Sequence, residues 1–304
     1  NHGLVMFFDW SGSMCDNIEQ TMDQMVQLVL FCKKVNIPFE VYAFSSDSEN
    51  TDMWSDMGES ENDWQDWKVS KTGMNDFSLL NIFSSKMTKA EFDASIVGAR
   101  YLAKAQNTYA VAPREYRLGG TPLDEAIVAA FTLIPRFREE NRVQIVNTVF
   151  MTDGCSNGNQ IGANDYLRVK GMRMGTQGTQ RSVTGNLMDL LQKTTGTNAI
   201  GMFLSNLSNT RFGGSWETSQ YFNTGEEVAH ACETWKSDNY AISTNSHGYA
   251  EHFIIKGNKK VDNSGLDNLP ENASNTRIKN AFLKSAGAKM TSRVVLNRFI
   301  DIIA

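Results

Sequence analysis

The 304-residue sequence predicts an α/β fold: a doubly wound, mostly parallel and Rossmann-like sheet with helices on both faces. Short continuous apolar runs, typical of buried strands, alternate with longer segments whose apolar residues recur every three or four positions. The first strand, helix and strand follow one another as a β-α-β unit, which favours a parallel pair with a right-handed crossover. The sequence contains no internal repeat, so we expect a single domain over residues 1–304.

The opening β-α-β unit is predicted in detail. The run "LVMFF" (4–8) predicts a buried strand, and "FEVYAF" (39–44) predicts a second one. Between them, residues 17–35 predict a helix, with Asp16 and Glu19 as a capping box at its start. The apolar stripe of this helix consists of Ile18, Met22, Met25, Val29 and Cys32.

An acidic, Trp-rich insertion at about 45–76 then breaks the alternation. Eight acidic residues and no Lys or Arg lie between residues 45 and 67, interleaved with Trp54, Trp64 and Trp67. The composition is that of a solvated surface insertion, and it is equally that of a flap whose aromatic side chains anchor a partner.

The remaining elements continue the alternation. In "GGTPLDEAI", Thr121 suits the cap of a helix and Pro122 its first position. The run "VQIVNTVFMTDG" (143–154) predicts a long strand, and a glycine-rich loop is expected over 155–185. We further predict strands at 77–85, 199–205 and 250–256, and helices at 89–107, 119–140, 186–195, 224–236 and 277–302.

Composition and charge exclude several classes of protein. The net charge of −5 gives no case for nucleic acid or an anionic membrane as a partner, and the longest apolar run, 126–134, is too short to span a bilayer. The four cysteines form no CxxC pair, which predicts neither a zinc site nor a disulfide framework and makes a reducing cytoplasm the simplest compartment. Because the first strand begins by Leu4, we expect the chain to be the C-terminal part of a longer protein.

Polar side chains gather where the predicted strands end. The first strand ends in Asp9, followed by Ser11 and Ser13 with Gly12 permitting a tight turn. Thr121 precedes a helix, and Asp153 ends the long strand. Ligands of open α/β sheets bind beyond the carboxyl ends of the strands, and oxygen ligands suit Mg²⁺, with Mn²⁺ or Ca²⁺ as alternatives. Two carboxylates do not saturate such an ion, so a partner's carboxylate can take an open position.

Three motifs together resemble one family. "DWSGSM", "GGTPL" and "TDG" match the metal-ion-dependent adhesion site (MIDAS) of von Willebrand factor A (VWA) domains, in the family's order. The resemblance implies that Ser11, Ser13 and Thr121 touch the metal directly, and that Asp9 and Asp153 do so directly or through water. It also implies a partner protein that offers an Asp or Glu to the metal.

The finer resemblance is to the C-terminal VWA domain of a cobalt chelatase subunit and its phage-encoded relatives. It covers roughly residues 4–205, leaving the acidic insertion unmatched and 206–248 as an elaboration like 155–185. It implies a non-catalytic adaptor for an AAA+ ATPase of the MoxR or chelatase type, in the cytoplasm of a bacterial or phage-infected cell.

Two other functions stay open. One is a structural protein, for instance of a virion, that uses the metal site for a fixed contact. The other is a metal-dependent phosphatase of the haloacid-dehalogenase type, which needs a second aspartate as general acid where this chain has Ser11. No Ser-His-Asp or Cys-His arrangement is evident in the sequence.

Basic residues and histidines complete the candidate positions. The segment 166–188, after the long strand, has no acidic residue and predicts either a solvated loop or a positive collar for an acidic partner; its basic residues are Arg168, Lys170, Arg173 and Arg181. The four histidines form no ligand pattern, so structural roles are expected. His247 and His252 flank the start of a strand five residues apart, and we expect them on opposite faces.

Overall fold

The computed structural model describes residues 1–46, 77–106, 113, 116–152, 156, 166–169, 172–175, 180–244 and 247–256. The strands are β1 (His2–Asp9), β2 (Phe39–Ser46), β3 (Phe77–Ser84), β4 (Ile145–Met151), β5 (Tyr166–Val169), β6 (Met172–Gly175), β7 (Asn198–Ser205), β8 (Tyr240–Thr244) and β9 (Glu251–Lys256). The α-helices are α1 (Ile18–Lys34), α2 (Lys89–Gln106), α3 (Leu123–Asn141), α4 (Gln180–Thr195), α5 (Asn209–Phe212), α6 (Trp216–Tyr221) and α7 (Gly225–Ser237).

Seven strands form one sheet in the order β3-β2-β1-β4-β7-β9-β8. The five inner strands are parallel, whereas β3 and β8 run antiparallel at the two edges. The predicted α/β class with a mostly parallel sheet is therefore confirmed. Because β1 lies between β2 and β4, its carboxyl end meets the carboxyl ends of both neighbours.

Both faces of the central strand are buried, which explains its continuous apolar sequence. Leu4, Met6 and Phe8 pack with the residues of α1 and α2 on one face. Val5 and Phe7 pack with α3 and α4 on the other, where the Phe7 ring stacks on Phe150 of β4 at 4.9 Å between centroids. The predicted stripe of α1 is buried throughout.

The start of α1 differs from the prediction. Asn17 occupies the cap position and makes no side-chain capping bond, so the capping box of Asp16 and Glu19 is wrong. The Asn17 side chain instead donates to the Leu204 carbonyl at 3.2 Å and accepts from the Asn206 amide. It thus ties the beginning of α1 to the end of β7. Local sequence patterns do not predict such a long-range contact.

The start of α3 also differs. The helix begins at Leu123, and Pro122 holds the cap position, which provides no side-chain capping bond. Thr121 therefore lies one residue before the cap, and its predicted capping role is wrong. Its backbone carbonyl accepts from the Leu123 amide at 3.0 Å, and its side chain is buried.

Two predicted elaborations contain more structure than expected. The segment predicted as a loop over 155–185 holds the β5–β6 hairpin, and α4 already begins at Gln180. In the segment 206–248, α7 confirms the helix predicted at 224–236, whereas α5, α6 and β8 were not predicted, and β8 lengthens the sheet at one edge. The insertion from residue 47 to 76 and the predicted helix 277–302 lie outside the described residues. Within the described residues, no helix is long and apolar enough to cross a membrane.

Candidate metal centre

The carboxylate at the end of β1 is buried and held in place. Asp9 has no exposed surface, and the Thr152 hydroxyl donates to its Oδ2 at 2.7 Å. Thr152 directly follows β4, the parallel neighbour of β1, so sheet topology alone brings these two side chains together. An ionised acceptor strengthens such an O–H···O bond, and the bond fixes the rotamer of the carboxylate.

The two serines lie in the turn that leaves β1. Ser11 is buried and Ser13 is exposed, and their Oγ atoms are 3.0 Å apart. Two neighbouring ligands of an octahedral Mg²⁺, each about 2.1 Å from the ion, are also about 3.0 Å apart. The two hydroxyls are therefore spaced as such an ion requires, with one side open to solvent at Ser13.

Backbone pairing brings the Thr121 segment to this turn. Gly119 forms a parallel bridge with Ser11, and the Gly12 amide donates to the Gly119 carbonyl at 2.8 Å. Gly120 forms an antiparallel bridge with Ser46 at the end of β2. Thr121 comes directly after these two bridges, and it is 6% exposed. The "GGT" motif is thus fastened to the ends of both β1 and β2.

Position 119 requires a glycine because its backbone lies in close contact with Ser46. A Cβ atom there would lie 2.0 Å from the Ser46 carbonyl oxygen, so no side chain fits. A Cβ atom on Gly12 would have its nearest neighbour at 3.7 Å, an ordinary contact, and Gly12 is not among the residues with positive φ. The turn therefore does not need glycine at position 12, contrary to the expectation from sequence.

Trp10 anchors the motif from the side, although sequence analysis gave it no role. Its amide donates to the Phe44 carbonyl and its carbonyl accepts from the Ser45 hydroxyl, both at 2.8 Å. Its indole Nε1 donates to the Tyr116 carbonyl, also at 2.8 Å. Trp10 stands between the candidate ligands Asp9 and Ser11, and that position was the sequence feature that could have indicated its anchoring role.

The structure thus gathers four of the five predicted metal ligands at one edge of the sheet. Asp9, Ser11 and Ser13 share the end of β1, and the two glycine bridges bring Thr121 alongside. Asp153, the fifth, lies outside the described residues, as do Lys170, Trp54, Trp64 and Trp67. The basic segment is placed by its backbone: Arg168 pairs with Arg173 across the β5–β6 hairpin, and Arg181 lies in the first turn of α4.

The donor chemistry decides which ion this site suits. Among the described residues, no group of three or more His, Cys, Asp or Glu could hold a metal. The gathered donors are hydroxyl and carboxylate oxygens, which favour hard cations such as Mg²⁺, Mn²⁺ or Ca²⁺ over zinc. The residues therefore fit the type of ion that the sequence predicted.

A small cavity lies behind the site, and the sequence gave no indication of it. Its lining residues are Leu123, Thr152, Thr184, Tyr221, His247, Tyr249 and His252. Both histidines contact the Tyr221 ring, with centroids 5.1 Å away for His247 and 4.1 Å for His252. The expectation that they lie on opposite faces is wrong, because positive φ angles at His247 and Gly248 turn the chain back before β9 begins.

His252 is held as a neutral side chain in this cavity. Its ring lies against the rings of Tyr221 and Tyr249, and its Cδ2 edge faces Gly201, where a Cβ atom would be 2.0 Å away. Burial, with a smaller contribution from His247, lowers the pKa of His252 to about 3. The imidazole is therefore uncharged at neutral pH, and Gly201 is required to make room for it.

The first turn of α3 carries two buried carboxyl groups. Burial raises the pKa of Glu125 to about 7; a bond to its own backbone opposes the rise, and the charge of Asp124 adds to it. Asp124 is buried as well, and Thr184 of α4 donates to its Oδ1 at 2.6 Å. These acidic residues follow Thr121 closely, and the sequence motif "TPLDEA" gave no sign that they are buried.

No protein-family model matches the chain, and no curated protein matches it either. Among solved structures, the open conformation of the pilus adhesin SpaC from Lactobacillus rhamnosus GG is 11% identical, with a TM-score of 0.45 over 94% of this chain and 30% of the adhesin chain. Proximal thread matrix protein 1 from the mussel byssus is 13% identical, with a TM-score of 0.35 over 77% of this chain and 46% of that chain. This chain thus spans less than half of either structure, and likenesses of this size carry no argument about function.

Proposed function

We propose that this chain is a Mg²⁺-dependent protein-binding module of the VWA type, without catalytic activity of its own. The observation that carries the proposal is the arrangement of the turn after β1. Ser11 and Ser13 hold their hydroxyl oxygens 3.0 Å apart, next to the buried carboxylate of Asp9, and the glycine bridges bring Thr121 beside them. The motifs "DWSGSM", "GGTPL" and "TDG", which resemble the adhesion site of VWA domains, support the same proposal.

Each side chain has a separate task in this proposal. Asp9, oriented by the Thr152 hydroxyl, supplies negative charge from a buried position. The serine and threonine hydroxyls supply neutral oxygens, which leave more of the ion's positive charge for an incoming ligand. When bound, the cation offers an open position to a carboxylate. The exposed Ser13 marks the side from which a partner's Asp or Glu approaches.

The partner that we propose is an AAA+ ATPase of the MoxR or chelatase type, in the cytoplasm. This part rests on the resemblance to the cobalt chelatase subunit and its phage-encoded relatives. The basic positions Arg168, Lys170, Arg173 and Arg181 would then form a collar that attracts an acidic surface of the partner.

The test is capture of partners by the immobilised protein from a lysate of its native cell, with Mg²⁺ or with EDTA, followed by mass spectrometry. We expect an AAA+ ATPase to be captured with Mg²⁺ and lost with EDTA. The matched variant is Asp9→Asn, which keeps an oxygen acceptor for Thr152 but removes the charge, and it should capture no ATPase.

Two results would contradict the proposal. Equal capture of the ATPase by the wild type and the Asp9→Asn variant would show that the metal site does not bind it. Capture of structural proteins regardless of Mg²⁺, with no ATPase, would favour the alternative of a structural protein with a fixed contact.

A further inference from the structure

The first turn of α3 bonds to Ser156, a described residue close in sequence to the candidate ligand Asp153. Asp124 comes three residues after Thr121, and Ser156 comes three residues after Asp153. The Asp124 amide donates to the Ser156 hydroxyl at 3.3 Å. Asp124 thus connects the first turn of α3, which directly follows Thr121 and Pro122, to Ser156.

The side chain of the same residue is clamped by the neighbouring helix. The Thr184 hydroxyl of α4 donates to Asp124 Oδ1 at 2.6 Å. Asp124 is 1% exposed, Thr184 is 4% exposed and Ser156 is 6% exposed, so solvent can replace little of this contact. Loss of this donor removes part of what compensates the desolvation of the buried carboxylate, and we expect the turn that carries it to shift in response.

The contact between Thr184 and Asp124 affects Thr121 through Leu123. The Thr121 carbonyl accepts from the Leu123 amide at 3.0 Å, which fixes Thr121 to the residue directly before Asp124. Movement of the first turn of α3 would therefore move the Thr121 hydroxyl relative to Ser11 and Ser13. Residues that hold a metal ligand in place without touching the metal commonly change metal affinity by about 10- to 100-fold when they are replaced.

We propose that Asp124 and Thr184 are positioning residues of the metal site, which hold Thr121 in register with the turn after β1 and tie its segment to Ser156. This inference rests on the proposed function, because it requires that the site binds a divalent cation. It adds two residues that neither the "GGTPL" motif nor the resemblance assigned to the site.

The start of β7, beside the middle of β4, offers a matched control. Thr148 and Thr197 are buried there, their hydroxyl oxygens lie 2.7 Å apart, and Thr197 also donates to the Val146 carbonyl at 2.7 Å. Replacing Thr197 with Val removes buried threonine hydrogen bonds, as Thr184→Val does. It does so away from the turn after β1.

The experiment is a titration with MnCl₂, followed by electron paramagnetic resonance of free Mn²⁺, on the full chain. The wild type should bind one Mn²⁺ that Mg²⁺ displaces. Thr184→Val should weaken Mn²⁺ binding about tenfold, Thr184→Ser should restore it, and Thr197→Val should leave it unchanged. Ser156→Ala, a milder change, should weaken binding in the same direction and serves if Thr184→Val does not fold.

The outcomes separate the two proposals. Wild-type affinity in both Thr184→Val and Ser156→Ala would overturn the positioning role while leaving the metal site intact. Equal weakening by Thr197→Val would also overturn it, because the loss would then follow general stability. Absence of Mn²⁺ binding in the wild type would overturn the proposed function itself, and the positioning role with it.

Discussion

The two ends of the inner parallel strands both bury polar side chains, but they do so in different ways. At the amino end of β7, beside the middle of β4, the hydroxyls of Thr148 and Thr197 lie 2.7 Å apart and the Asn198 amide donates to Asn147 at 3.0 Å, so neutral groups bond to one another. At the carboxyl end, the fully buried Asp9 accepts from Thr152, and the hydroxyls beyond it reach the surface at Ser13. The threonine pair lies wholly within the core, whereas the buried carboxylate leads to an exposed hydroxyl, which is the arrangement that the proposed site requires.

Ionisable groups show the same difference between the two ends. The buried groups with strongly shifted pKa values near the candidate site are Glu125, in the first turn of α3, and His252, in the cavity that Thr152 lines. The threonine pair at the amino end has no charge to gain or lose. Glu125 and His252 should therefore each make a pH-dependent contribution to stability, whereas the threonine pair should make none.

The largest effect is expected from Gly119→Ala. The new Cβ would lie 2.0 Å from the Ser46 carbonyl oxygen, so the "GGT" segment must separate from the end of β2. We expect a loss of about 3 kcal/mol in the free energy of unfolding, together with a loss of Mg²⁺-dependent stabilisation. Denaturant unfolding with and without Mg²⁺ measures both effects.

The control for this variant is Gly98→Ala in α2, where an added Cβ meets nothing within 4 Å. Because alanine favours a helix over glycine, that change should stabilise the protein by about 0.5–1 kcal/mol and leave the Mg²⁺ response unchanged. Equal stability of the two variants would show that the close contact at Gly119 is not what fastens the segment.

The next effect concerns His252, whose pKa is lowered to about 3 in the folded state. Between pH 6.5 and pH 3, His252 binds a proton in the unfolded chain but not in the folded chain. Its contribution therefore makes stability fall as the pH falls from 6.5 towards 3. His252→Gln should remove that fall. Relative to the wild type, the variant should gain about 2 kcal/mol between pH 7 and pH 5, measured by urea unfolding. A difference that stays constant with pH would refute a buried neutral histidine.

A smaller effect of opposite sign is expected from Glu125. Its pKa of about 7 exceeds the ordinary 4.5, so the folded chain binds a proton more tightly, and this residue makes stability fall as the pH rises from 4.5 through 7. Glu125→Gln should therefore gain about 1 kcal/mol relative to the wild type between pH 6 and pH 7. Thr197→Val removes no ionisable group, so its destabilisation should not change over this pH range. A pH-dependent destabilisation of Thr197→Val would contradict the comparison between the two ends.

The sequence predicted six of the seven strands of the sheet because their apolar runs are local patterns, whereas β8 was not predicted. The run "LVMFF" is apolar at every position since helices cover both faces of β1, and such a run is readable without a structure. The motifs around Asp9 and Thr121 were readable for a similar reason, because the ends of parallel strands meet at one edge. Gly119 has a visible signature in "GGTPL", although its reason, the carbonyl of Ser46, lies 73 positions away in the chain.

The features that the sequence could not provide depend on distant contacts. Asn17 was expected to follow a local cap, but its side chain bonds to the end of β7 instead. His247 and His252 meet at Tyr221 because a turn with positive φ angles reverses the chain between them. The burial of Asp124 depends on Thr184 of a different helix, and no spacing in the sequence encodes that contact.

The central claim, that the turn after β1 binds a divalent cation, is tested most directly at Ser13. This side chain is exposed. If the turn binds no cation, Ser13→Ala should therefore leave the Mn²⁺ titration unchanged. The control is Ser208→Ala: Ser208 is also exposed, and its hydroxyl lies 3.1 Å from that of Thr210, the same spacing along the chain. In Mn²⁺ titrations, we predict at least about tenfold weaker binding for Ser13→Ala, wild-type binding for Ser208→Ala, and unchanged metal-free stability for both. Identical Mn²⁺ affinity in the two variants would contradict the claim.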